Sequence, residues 1–367
     1  MRITSRLFIA TCLALAVVGT DGIALAAALT WTTATSQASG TTNHLRSVAV
    51  SDQAGNDSVY IGFIQTSGNR RIDRRSTDSP YGVLNTHASG PDQPKGIVTD
   101  DRGNVFVANR GSGTTSSRIQ SFSSSLVPNS TTTATTPVIG GLAIQQIGAT
   151  YYAYTVYESA GLIQRYDVTN PGAMTLDATF GTGGSYNIPG GSNLRGVEVG
   201  ADGSLYVAAR DDNRVYKVSS DLSTVTSHTL TRAMDVALYN GKLYATSYNG
   251  VNSLIRVIDP ATMGFLEDIT ITTLDANPYS RGASEGWGGI DIDAGGNIWL
   301  ADQHYGSTGG TQDRLLVGAS LVPEPGSMAF LAAAVAGFGL VARRRRRADR
   351  RGRTGRDLHL ARGLVAR

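Results

Sequence analysis

Three observations predict an all-β fold, a six-bladed β-propeller. A strand–turn–strand pattern recurs six times along the chain, and its turns are built on Gly and Asn. The composition fits: 44 glycines in 367 residues and only 17% charged residues suit a turn-rich β protein better than a helical enzyme. Tyr outnumbers Phe, 15 to 8, as expected of strands with one wet face. The propeller is expected over residues 27–321, between a signal peptide and a C-terminal transmembrane helix.

Residues 1–26 read as a signal peptide, to be removed by signal peptidase. Arg2 and Arg6 form its positive start, Leu7–Gly19 its short apolar core, and Ala24-Leu25-Ala26 its small-residue cleavage site. The sole cysteine, Cys12, lies inside it, and the apolar run continues past that residue, which argues against lipidation. The mature chain therefore has neither disulfide nor thiolate metal site, and burial and sheet hydrogen bonds must hold it together.

Export also reverses the apparent charge. The whole sequence carries 32 basic and 29 acidic residues. Without Arg2, Arg6 and the eleven arginines from Arg343 onward, 19 basic residues remain; without Asp21, Asp349 and Asp357, 26 acidic ones remain. The body is acidic and carries no electrostatic footprint for nucleic acid.

Within the body, three copies of the pattern are well formed. Gly96-Ile97-Val98-Thr99-Asp100 leads through Gly103 to Val105-Phe106-Val107-Ala108. Gly196-Val197-Glu198-Val199 leads through Gly203 to Leu205-Tyr206-Val207-Ala208, and Gly289-Ile290-Asp291-Ile292 through Gly296 to Ile298-Trp299-Leu300-Ala301. Each time seven residues separate the first glycine from the turn glycine. Looser copies start at Ser47, Gly141 and Asp235. Alternation over four or five residues is the period of a half-buried strand. One such meander cannot bury both its faces, so neighbours must stack, and six units spaced roughly 39 to 55 residues apart fit propeller blades. Asp100, Asp202 and Asp293 sit where they would cap turns.

These units resemble NHL-type propeller repeats, with their Gly-apolar-x-apolar-Asp step, Gly-Asn turn and Tyr-Val-Ala-Asp-like strand. The resemblance spans roughly residues 44–320 and implies a six-bladed NHL-like ring. The last unit is one strand short, and Leu29–Thr35 reads as the strand that completes it and closes the ring. Ser123–Thr136 and Gly181–Gly191 read as loops without repeat character, and Thr273–Trp287 as a polar loop. In the last of these, Tyr279, Arg281, Glu285 and Trp287 are the candidate ligand-binding residues, because loops carry binding more often than strands do. Trp287, Tyr279, Tyr248 and Tyr305 are expected to be exposed and able to stack on sugar rings.

The C-terminus has three parts: Val322-Pro323-Glu324-Pro325-Gly326-Ser327, an apolar stretch Met328–Ala342, and the block Arg343, Arg344, Arg345, Arg346, Arg347. A helix over the apolar stretch would span ~22 Å at about 1.5 Å per residue, against a bilayer core of about 30 Å, a shortfall that local thinning covers. The arginines stop transfer and stay inside, so the body faces out. Residues 322–347 resemble the PEP-CTERM sorting domain, with Pro323, Glu324 and Pro325 at its Pro-Glu-Pro. The resemblance implies recognition by an exosortase, cleavage near the motif after a transient stay in the inner membrane, and delivery to the cell surface or extracellular matrix of a Gram-negative-type bacterium. There such proteins are associated with exopolysaccharide and biofilm. Family members usually end soon after the arginines, whereas here a polar, basic tail of disordered character, Ala348–Arg367, follows.

No nucleophile elbow, zinc-protease signature or phosphate-binding glycine loop occurs, and His44, His87, His228, His304 and His359 are scattered without metal-ligand spacing. Glu198, Asp235 and Asp291 fall on innermost strands of three units; carboxylates converging there would suit Ca²⁺, a hard cation. Three functions stay open. One is a non-enzymatic surface or matrix propeller that binds a polysaccharide or a surface protein. Another is a secreted hydrolase or lyase with a Ca²⁺-binding channel. The third is a scaffold with no small ligand.

Overall fold

The computed structural model describes residues 31–36, 43–51, 53, 57–65, 70–78, 80–90, 93–111, 117–132, 138–158, 160–249, 254–269, 286–303 and 314–318. They form six antiparallel sheets and no helix. Blade 1 is β2 (Asn43–Ser51), β3 (Ser58–Gln65), β4 (Arg70–Ser76) and β5 (Val83–Gly90). Blade 2 is β6 (Gln93–Thr99), β7 (Val105–Arg110), β8 (Arg118–Phe122) and β9 (Pro128–Thr131). Blade 3 is β10 (Ile139–Ile147), β11 (Thr150–Tyr157), β12 (Leu162–Asp167) and β13 (Thr175–Leu176), with β14 (Ser185–Asn187) also on β12. Blade 4 is β15 (Leu194–Val199), β16 (Leu205–Ala209), β17 (Arg214–Val218) and β18 (Val225–Thr229). Blade 5 is β19 (Ala233–Tyr239), β20 (Lys242–Ser247), β21 (Ile255–Asp259) and β22 (Gly264–Ile269). Blade 6 is β23 (Gly286–Ile292), β24 (Ile298–Gln303), β25 (Arg314–Gly318) and, from the other end of the chain, β1 (Trp31–Ser36).

The innermost strands β2, β6, β10, β15, β19 and β23 neighbour one another in that order, and β23 returns to β2. The ring closes by pairing the chain's two ends: β1 runs antiparallel to β25, with Trp31 opposite Gly318 and Ser36 opposite Arg314. Closure replaces an open edge with paired backbone. The compact unit holding the ring covers Met1–Ala319; a second unit, Ser320–Arg367, lies outside the described residues.

Stability comes from between the blades. Val59, Ile61 and Phe63 of blade 1 pack with Trp299, Ala301, Leu315 and Val317 of blade 6. Phe106, Ala108 and Ile119 of blade 2 pack with Tyr151, Ala153 and Tyr157 of blade 3. Each full burial of such a side chain is worth about 1.5–3 kcal/mol, so the alternation in the sequence is a record of two buried sheet faces. Arg102 adds a polar rivet from blade 2 to blade 3: its guanidinium lies 3.7 Å over the Tyr151 ring, pairs with Asp100 at 2.7 Å and donates to the Thr169 carbonyl at 2.7 Å.

The repeat glycines have two different duties. The turn glycines Gly103 and Gly203 take φ of 84° and 80°, a region that costs other residues about 1–2 kcal/mol. The first glycines set how closely innermost strands approach. A Cβ on Gly141 would sit 2.5 Å from the Arg195 carbonyl oxygen, and one on Gly196 would sit 2.6 Å from the Asp235 Cα. The turn aspartates behave as expected: Asp100 accepts the Asn104 amide at 2.8 Å, Asp202 the Ser204 amide at 2.9 Å and Asp293 the Asn297 amide at 2.8 Å.

Two segments expected to be loops supply outer strands instead. Residues 128–131 of the Ser/Thr-rich stretch form β9, and residues 185–187 of the Gly-rich stretch form β14. β13 pairs with Tyr166 and Asp167, and β14 with Leu162, Ile163 and Gln164, so the fourth strand of blade 3 is made in two pieces. Outer strands face water on most sides and need no apolar alternation, which is why their sequences carry no strand signal.

Candidate functional site

Every innermost strand breaks register near its start. The shifts fall between Leu45 and Ser47, Pro94 and Gly96, Ile139 and Leu142, Leu194 and Gly196, Ala233 and Asp235, and Trp287 and Ile290. A bulge leaves a residue unpaired and re-aims its side chain. Here the skipped residues are Arg46, Lys95, Gly140-Gly141, Arg195, Met234 and Gly288-Gly289. All but Gly140 line one small recess, with a cavity volume of ≈ 30 Å³, at the end of the ring where the innermost strands begin.

A second tier comes from residues at or just past the ends of the second strands: Arg110, Glu158, Arg210 and Tyr248. Blade 3 has no side chain at its bulge, and Glu158 fills the place from above. Lys95 Nζ lies 3.6 Å from Glu158 Oε1, Arg110 Nη1 lies 3.6 Å from Oε2, and Arg195 Nη1 donates to Oε1. Three cations thus share one carboxylate. Among the described residues, the buried Nε of Arg195 has no hydrogen-bond partner.

The electrostatics follow from crowding. Burial, then the neighbouring Arg46, brings the Lys95 ammonium down to about 7 against the pull of Glu158. Burial, then Arg46, lowers Arg195 to about 9. Burial would raise Glu158, but Lys95, Arg195, Arg46 and Arg110 together outweigh it and hold it below the ordinary carboxylate value.

Deeper in the channel the sign changes. Asp235 and Glu198 are half-buried. Burial pushes Asp235 up to about 7 and Glu198 up to about 8, the latter with help from Asp291. Both oxygens of Asp235 and of Asp291, and one of Glu198, accept backbone amides. Asp235 accepts the Val236 and Ile290 amides at 3.0 and 3.1 Å; Asp291 accepts those of Ile292 and Val50 at 2.8 and 2.7 Å; Glu198 accepts that of Val199 at 3.2 Å. Among the described residues, no group of three His, Cys, Asp or Glu side chains is arranged to hold a metal ion.

Tyr248, expected to be exposed, is buried at 8% exposure. The backbone of Trp287 lies in β23 opposite Asp302. Tyr279, Arg281, Glu285, Tyr305, the Pro323-Glu324-Pro325 motif and Arg343–Arg347 lie outside the described residues. The cationic mouth was missed at sequence level, although its signal was present: the residue just before the first small residue of each repeat is Arg46, Lys95 or Arg195 in three of six units.

The C-terminal residues 321–347 match the PEP-CTERM protein-sorting motif. The chain carries a PEP-CTERM sorting signal. A protein with this signal is exported through a membrane-anchored sorting step and processed by an exosortase. No curated protein matches the chain. Among solved structures, U3-55K shares the fold, with a TM-score of 0.54 at 8% identity over 78% of this chain and 98% of that one. A streptogramin B lyase aligns with a TM-score of 0.49 at 13% identity over 79% and 98% of the two chains. No helix of the described residues is long and apolar enough to cross a membrane.

Proposed function

We propose that this PEP-CTERM propeller is a non-enzymatic binding protein of the cell surface or extracellular matrix, and that its ligand is an acidic exopolysaccharide held at the channel mouth. The observation that carries the reading is the sharing of Glu158 by Lys95, Arg110 and Arg195 at the rim of this recess. Cations crowded around too little negative charge gain most from an incoming anion, because each is already partly desolvated. Export supports the choice of a polymer met outside the cell. The reading draws on no metal, since Asp235 and Asp291 are engaged with backbone amides.

Cosedimentation of the full chain in mild detergent with polygalacturonate and with dextran tests it. The acidic polymer should bind and be released as salt rises past about 0.15 M, where the Debye length falls to about 8 Å. Equal binding to dextran, or no binding to either, would overturn the reading.

A further inference from the structure

The sharing of one carboxylate by three cations has a consequence for how a ligand enters. Lys95 sits at the bulge of β6 with its side chain 7% exposed. It faces Glu158 after β11, Arg46 on β2, Arg195 on β15 and Arg110 at the end of β7. Among these groups, Glu158 is the one that attracts it. Arg195 is 12% exposed and carries a buried Nε with no partner among the described residues.

We propose that the channel mouth is a seat for one oxyanion group, such as the carboxylate of a uronic acid or a sulfate ester, bound by Arg195 and Arg110 together with a Lys95 that takes up a proton as the group arrives. The inference rests on the reading of the mouth as a binding site and deepens it by naming the chemical group and the linked proton.

Two arguments support it. The first is charge. With Lys95 protonated, four cations, Arg46 among them, face one carboxylate; with Lys95 neutral, the excess is smaller and the seat weaker. A second anion therefore favours the protonated amine, just as Glu158 does alone. The second is geometry. Guanidinium groups match planar oxyanions through paired N–H donors, and Arg195 has a buried donor to spare. Burial, then Arg46, brings the Lys95 ammonium to about 7, so its proton is exchanged close to neutral pH.

Linkage fixes the sign. If the bound anion raises the affinity of Lys95 for its proton, binding weakens as pH rises above about 7. An arginine at position 95 would stay charged throughout and remove the dependence.

The test is titration calorimetry of the full chain in mild detergent at pH 7.5, in two buffers of different ionisation enthalpy, with inorganic sulfate and with trigalacturonate as probes. Sulfate does not titrate in this range. We expect both probes to bind with net proton uptake, and affinity to fall roughly tenfold between pH 6 and pH 8.5. Lys95→Arg should keep binding and abolish both the uptake and the pH dependence. Arg195→Gln should weaken both probes about tenfold or more. Since that variant removes a buried pair, Arg110→Gln, at a 40% exposed position, serves as the milder check and should weaken them severalfold. Binding without proton uptake, or uptake that survives Lys95→Arg, would overturn the proposal. If trigalacturonate binds but neither arginine variant changes it, acidic-glycan binding stands and this seat falls. If sulfate binds with uptake and trigalacturonate does not, the seat stands and the polysaccharide reading falls.

Discussion

The Asp235 carboxylate accepts the Ile290 amide at 3.1 Å across the seam between blades 5 and 6. It stands on β19 at the position that β6, β15 and β23 fill with Gly96, Gly196 and Gly289 and β2 with Ser47, so a longer side chain occupies a level of the ring where neighbouring backbones approach closely. Its other oxygen accepts the Val236 amide at 3.0 Å. Asp235→Ala should leave both buried donors without these acceptors and cost about 1–3 kcal/mol for each, read as a lower urea midpoint. A change within a few tenths of a kcal/mol would mean that the seam is held by the flanking apolar packing alone.

The same carboxylate gives the protein an unusual pH profile. Asp235 rises from 3.8 to about 7, mainly by burial, and Glu198 from 4.5 to about 8, by burial and then Asp291. Because the folded values are raised, their stabilising effect is complete below pH 4 and is lost as pH climbs through 7 to 8. Lys95 moves the other way, from 10.5 to about 7, so its effect is complete above pH 10.5 and is lost as pH falls through 7. Melting temperature should therefore pass through a minimum near pH 7 to 8, where most proteins have a broad maximum. Asp235→Asn with Glu198→Gln should flatten the acid limb. Lys95→Met should flatten the alkaline one.

A comparison of two glycines separates close approach from backbone freedom. Gly196→Ala places a methyl 2.6 Å from the Asp235 Cα, where backbone of a neighbouring blade must move. Gly241→Ala also strains the chain, with φ of 71°, but meets nothing within 4 Å. The second should cost about 1–2 kcal/mol. The first should exceed it by the overpacking term, typically about 1–3 kcal/mol more. Chemical denaturation of the two variants decides the order, and a reversed order would show that the inner ring yields more easily than this spacing implies.

The sequence made the inner strands legible and the outer ones invisible. Gly96, Gly196 and Gly289 announced themselves because a steric limit and a turn seven residues later recur together. β9 and β14 did not, because an exposed strand such as Pro128–Thr131 needs backbone partners and little else. The carboxylates of the channel were legible as a set, but not their partners: that Asp235 and Asp291 meet amides of the next blade depends on blade-to-blade spacing, which no local pattern encodes. Arg46, Lys95 and Arg195 stand far apart in the sequence, and it is the bulges that bring them to one rim. Glu158, which joins two of them, lies 63 residues from Lys95 and 37 from Arg195.

Closure offers the last test. Arg314 opens β25 beside β1, paired in register with Asp302 on one side and Ser36 on the other. Its Nη2 lies 2.7 Å and its Nε 3.1 Å from Asp302 Oδ2, and the Asp302 side chain has no exposed surface. A carboxylate buried this deeply depends on its cation. Arg314→Met should cost about 3–5 kcal/mol, because it leaves the negative charge in place without the guanidinium. Adding Asp302→Leu should restore most of that loss, since two apolar groups replace an ion pair whose desolvation was nearly as large as its attraction. Urea unfolding of both single variants and the double gives the coupling directly, with at least about 1 kcal/mol expected for residues in contact. Additive losses would show that Asp302 is held by the backbone of β24 rather than by Arg314, and that the closing sheet stands on its β1–β25 ladder alone.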